Sequence, residues 1–72
     1  MLCVAGAWYD VAGQGIWERV SLSDASSWYC VRHVDSKWIT YGVGVQTCVY
    51  GQLENAKTEL DTLLKESGWY LL

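Results

Sequence analysis

The sequence predicts an α+β fold: a four-stranded antiparallel meander sheet with one long C-terminal helix packed on one face, ordered ββββα with room for a short terminal strand. Three observations support it. Between residues 2 and 45, strand-forming residues recur in short runs separated by polar or glycine-rich turns. From Thr47 the apolar residues change to spacings of four and three, the period of a helix. The composition is that of a globular protein, 51% hydrophobic and 18% charged, and 72 residues suit a single domain over 1–72.

The first strand is LCVAGAWYDV, residues 2–11, ended by the turn residues AGQG at 12–15. IWERVSL, 16–22, follows, then the polar connection SDASS, 23–27. WYCVRHV, 28–34, and WITYGVGV, 38–45, form the next pair across Asp35-Ser36-Lys37, with Gly42 and Gly44 marking a bulge or the strand's end. Beyond them Val49, Leu53, Ala56, Leu60, Leu63 and Ser67 form one apolar stripe, widened by Leu64. Thr47 is the expected N-cap. Gly51 costs about 1 kcal/mol inside a helix and moves the start toward Gln52. Gly68 suits the left-handed position after the last turn, and Asp61 and Lys65 have favourable i,i+4 spacing. The apolar tail WYLL, 69–72, should dock on the body or add a short strand.

Strand register decides which residues share a face, because side chains alternate. A Gly13-Gln14 loop sets Val11 opposite Ile16, Tyr9 opposite Glu18, Ala7 opposite Val20 and Ala5 opposite Leu22. A three-residue Asp35-Ser36-Lys37 loop sets Val34 opposite Trp38, Val31 opposite Tyr41 and Tyr29 opposite Val43. With these registers Cys3, Ala5, Ala7, Val20, Leu22, Tyr29, Val31, Ile39 and Tyr41 face the helix, and Glu18 stands out on that side as a charge. The alternative is a two-residue Asp35-Ser36 loop, which pairs Arg32 with Ile39 and mixes the faces. The longer loop sorts the residues better, although Lys37 fits its left-handed position poorly.

The sorted arrangement leaves the opposite face to Trp8, Trp17, Arg19, Trp28, Arg32, Trp38 and Thr40, with Asp10 and Cys30. Trp, Tyr and Arg dominate interface hot spots, so the first seven are the expected contacts to a protein partner. A homodimer, or the WYLL tail, covering the same face is the competing expectation. Single-stranded nucleic acid stacked on the rings is a third, disfavoured by a net charge of −3. Glu54, Glu59, Asp61 and Glu66 form an acidic helix back, read as a solvated face or a second contact surface mimicking phosphates.

No motif points to an enzyme, a metal or a cofactor. Cys30 and His33 form a C-x-x-H, but on a strand positions i and i+3 point to opposite faces and cannot share one ion. Gly13-Gln14-Gly15 lacks the Lys-Ser/Thr of a phosphate loop, and the serines have no matched His–Asp pair. Three cysteines, Cys3, Cys30 and Cys48, are an odd and widely spaced set that fits a reducing compartment. The opening MLCVAGAWYD has no basic segment and reaches Asp10 too soon for a secretory leader, and no apolar run would span a membrane. The expectation is a cytoplasmic protein.

Residues 28–64, with WYCVR, a turn, KWITYG and then LENAKTELDTLL, resemble small proteins of phages and mobile elements. In these a sheet meander is closed by a helix starting L-E-x-A-K-x-x-L/I-D, here Leu53, Glu54, Ala56, Lys57, Leu60 and Asp61. The usual Thr-Leu-Glu start is replaced by the longer segment from Thr47 to Glu54. The resemblance implies a non-enzymatic host inhibitor of the anti-CRISPR type, acting in the host cytoplasm by plugging a nucleic-acid-processing complex.

Overall fold

The computed structural model describes residues 3–11, 13, 15–23, 28–42 and 44–72. Among them are seven strands and one helix: β1 (Cys3–Ala5), β2 (Tyr9–Asp10), β3 (Ile16–Val20), β4 (Trp28–Val34), β5 (Lys37–Gly42), β6 (Val49–Tyr50), α1 (Leu53–Glu66) and β7 (Trp69–Leu71). The fold is α+β, with more strands than the sequence predicted. Strands β2 to β6 form a five-stranded antiparallel sheet in chain order, and β1 pairs with β7 in parallel.

The expected first strand is broken. Tyr9 lies opposite Glu18, as the sequence predicts, and the Val11 N–H donates to the Ile16 carbonyl. Nearer the N-terminus, however, Ala5 faces Ser21 and not Leu22. From residue 5 to residue 9 the chain takes four steps while its partner takes three, so one extra residue is accommodated at Gly6-Ala7-Trp8. Such a bulge interrupts pairing and bends the strand. It frees β1 to receive β7, so the WYLL tail adds the short strand that its apolar character demands. The loop residue Gln14 and the connection at 24–27 lie outside the described residues. Tyr29 pairs with Gly42 rather than with the expected Val43.

The β4–β5 hairpin closes through a two-residue turn. Val34 pairs with Lys37, His33 with Trp38, Arg32 with Ile39 and Val31 with Thr40, which corrects the three-residue expectation. Asp35 and Ser36 have φ of 48° and 65°. That is the I′ geometry whose twist matches the flanking strands, and Asp tolerates it better than most residues. The turn's fit to strand twist outweighed the cleaner sorting of residues that a longer loop offered.

Helix α1 starts after an extended Gln52 that makes no side-chain cap, which corrects the Thr47 N-cap. Val49 and Tyr50 are instead drawn into β6, opposite Ile39 and Trp38. The helix ends as expected, with Gly68 at a φ of 89° and its N–H bonded to the Lys65 carbonyl. Ala56, Leu60 and Leu64 are its buried residues, and they pack on Tyr29 and Val31 of β4. Leu63, expected in the stripe, is 40% exposed, because Leu64 takes the inward place. Full burial of each of these leucines contributes roughly 1.5–3 kcal/mol. Trp69 completes this layer, meeting Tyr29 edge to face at 5.5 Å.

Candidate binding surface

The two faces of the sheet follow from pairing. Tyr29 and Val31 touch the helix, so every residue in their cross-strand rows lies on that side. Trp17 opposes Val31 and Arg19 opposes Tyr29. On β5, Thr40 opposes Val31, and Trp38 opposes both His33 and Tyr50. The expected partner-binding set therefore divides. Trp8, Trp17, Arg19, Trp38 and Thr40 belong to the helix side, whereas Trp28 and Arg32 remain on the face the helix leaves bare.

Each residue on the helix side has a local reason to be there. Arg19 is buried, and its Nε donates to Asp61 Oδ1 at 3.0 Å while Nη1 reaches the carbonyls of Gly6 and Leu72. The bulge presents the Gly6 carbonyl and carries Trp8 over the helix flank, where its indole N–H also donates to Asp61 Oδ1 at 3.0 Å. Lys57 stands 4.1 Å from the Trp17 ring centroid and 5.8 Å from that of Trp8. Trp38 stacks on His33 at 4.5 Å and packs against the core. Thr40 is buried and its hydroxyl accepts from the Cys48 N–H and donates to the Gln46 carbonyl, pinning the segment before β6. Amphipathic aromatics and a paired arginine thus serve as the rim of the core. Nothing in strand alternation alone distinguishes such a rim from a binding face.

The expected acidic back also divides. Asp61 is held by Arg19 and Trp8, not by Lys65 as its spacing suggested, whereas Glu54, Glu59 and Glu66 are exposed.

The bare face carries the complementary set. One row runs Tyr9, Glu18, Cys30, Tyr41, and a second runs Ile16, Arg32, Ile39, Val49. Val20 and Trp28 form a third. Val20, Ile39 and Tyr41, expected beneath the helix, are here instead, and Leu22 is exposed. Trp28 is 41% exposed and Val49 is 61% exposed, on a surface that mixes β-branched and aromatic residues with the charged Glu18 and Arg32. Glu18, unexplained on the expected inner face, has its place here: Tyr9 Oη donates to its carboxylate at 2.6 Å. That bond, then burial and the carboxylate's charge, raises the Tyr9 phenol above its ordinary value.

Comparison of the chain with protein-family models, with curated proteins and with solved structures found no match.

At the centre of the bare face Cys30 is 0% exposed, on the opposite side of β4 from His33. Its short side chain sits in the row between Glu18 and Tyr41, while the Arg32 guanidinium lies 5.4 Å over the Tyr41 ring. Burial pushes the Cys30 thiol up, Arg32 pulls it partly back, and Glu18 adds to the rise. The thiol is therefore a packed, protonated element of the sheet. Arg32 is exposed, with its guanidinium steadied by an aromatic face. The face combines a large exposed ring at Trp28, a guanidinium stacked on Tyr41, and β-branched residues flanking both in their own rows, with Glu18, Cys30 and Tyr41 in the row between. No helix among the described residues is long and apolar enough to cross a membrane.

Proposed function

We propose that this chain is a small non-enzymatic protein-binding module that docks through the bare face of its sheet. The observation that carries this reading is that α1 covers one face while Trp28, Arg32, Ile39 and Val49 stand on the other. Contiguous exposed apolar area marks interaction sites, and Trp and Arg are the residues most enriched among their energetic centres. The occupant is a protein surface able to bury β-branched residues and offer an acceptor to Arg32. The resemblance of residues 28–64 to phage host inhibitors extends the reading to steric blockade of a host nucleic-acid-processing complex in the cytoplasm. Direct nucleic-acid binding is disfavoured: the face offers Arg32 and Lys37 as its cations on a chain of net charge −3.

The test uses Trp28→Ala and Val49→Lys, with the helix-back variant Glu54→Lys as control. All three should keep the wild-type circular dichroism and denaturation midpoint within about 0.5–1 kcal/mol, because each side chain is exposed. The reading requires a monomer at low micromolar concentration by analytical ultracentrifugation. It also requires a protein retained from source-cell lysate by the wild type and by Glu54→Lys, but lost with both bare-face variants. Retention unchanged by those variants overturns it. A wild-type dimer that becomes monomeric in Val49→Lys replaces it with self-association through the same face.

A further inference from the structure

A cleft of about 400 Å³ opens on the helix side, away from the proposed docking face. Its floor is Leu60 and the pinned Thr40, its walls include Val45, Leu63 and Tyr50, and Glu59 stands at its mouth. The size falls within the range of small-molecule sites, roughly 300–1,000 Å³. It exists because the segment 44–48 swings out from β5 before returning as β6, held by the two Thr40 hydroxyl bonds.

The charge of the lining is one-sided. Glu59 is a carboxylate without an ion pair among the described residues, and none of the chain's lysines or arginines lines the cleft. Beside it, burial raises the Tyr50 phenol, with Cys48 and the Glu59 charge adding to the rise. Tyr50 stays neutral at physiological pH, which leaves Glu59 as the charged side chain of the lining among the described residues. An anion would meet uncompensated repulsion there. A hydrocarbon stem would find Val45, Leu60 and Leu63, and a cationic head would find Glu59.

We propose that this cleft is a binding site for an alkylammonium ion, with its aliphatic stem along Leu60 and Leu63 and its ammonium at the Glu59 carboxylate. A free aliphatic amine and a lysine side chain offer the same chemistry. Titration of ¹⁵N-labelled protein followed by NMR tests the site, with n-hexylamine, N-acetyl-lysine methylamide and hexanoate as probes. An amine should shift the amides of Val45, Cys48, Tyr50, Leu60 and Leu63 saturably, and hexanoate should bind at least about tenfold more weakly. Glu59→Gln, a change at an exposed helix position, should weaken the amine about threefold to tenfold while leaving the rest of the spectrum in place. Tighter binding of hexylamine assigns the site to free amines, and tighter binding of the lysine derivative assigns it to a lysine side chain. The proposal is overturned if neither amine saturates these amides, if hexanoate binds as well, or if Glu59→Gln leaves amine affinity unchanged.

Discussion

Arg19 and Asp61, 42 residues apart, meet at 3.0 Å through Nε and Oδ1 and tie strand β3 to helix α1. The same guanidinium holds the bulge at Gly6 and the C-terminal residue Leu72 just past β7, so one side chain joins four segments of the fold. The Asp61 oxygen also takes the Trp8 indole N–H.

Asp61→Ala leaves a nearly buried guanidinium without its counter-charge. Breaking a fully buried pair costs about 3–5 kcal/mol, and two carbonyls still solvate Arg19, so a loss of about 2–3 kcal/mol is expected. Asp61→Asn keeps an acceptor and should cost about half as much. Arg19→Lys should cost at least as much as Asp61→Ala, because one ammonium cannot reproduce the fork. Urea midpoints order the three, and a neutral Asp61→Ala would remove this tie from the account of stability.

The β4–β5 turn stores backbone strain at Ser36, whose φ is 65°. An L-residue in the left-handed region costs roughly 1–2 kcal/mol, of which glycine is free. Ser36→Gly should therefore raise stability by about 0.5–1 kcal/mol after its greater unfolded-state entropy is counted. A lower thermal midpoint in calorimetry would contradict the I′ assignment.

Gly42 closes β5 opposite Tyr29, and a Cβ built there would lie 2.5 Å from Tyr29 Cδ1 and 3.2 Å from Val45 Cγ2. Gly42→Ala must displace a ring that is part of the core, at a cost of about 1–3 kcal/mol. Gly44→Ala is a different case. Its Cβ meets nothing within 4 Å, so its cost comes from a φ of 73° alone. Near-ultraviolet circular dichroism separates the two, because only Gly42→Ala should disturb the Tyr29–Trp69 pair.

The upward shifts of Cys30, Tyr50 and Tyr9 act in one direction. Each group keeps its proton in the folded chain at a pH where the unfolded chain has lost it. Stability is thus fully present below the ordinary thiol and phenol ranges and falls as pH rises through them. Denaturant midpoints should begin to fall from about pH 9 to 10, where the unfolded thiols and phenols start to ionise. At pH 7.5 a thiol reagent should modify Cys3 and Cys48, which are half-buried, well before the fully buried Cys30. Equal rates at all three would contradict the packing of Cys30.

What the sequence determined by itself was local. The helix and its end at Gly68, the pairing of Tyr9 with Glu18, the Tyr29–Val31 core face and the docking of the WYLL tail all follow from periodicity and turn chemistry within short windows. Which way each strand turned its faces was decided only in three dimensions. The bulge at Gly6-Ala7-Trp8 and the two-residue Asp35-Ser36 turn each depend on how strands fit their neighbours, and the pairing of β3 with β4 crosses a long connection that carries no register signal. Trp8 and Trp17 lie on the helix side, where Asp61 and Lys57 receive them together with Arg19, while Trp28 stays on the bare face. That complementarity lies across some 40 to 50 residues of chain, beyond the reach of any alternation pattern along a single strand.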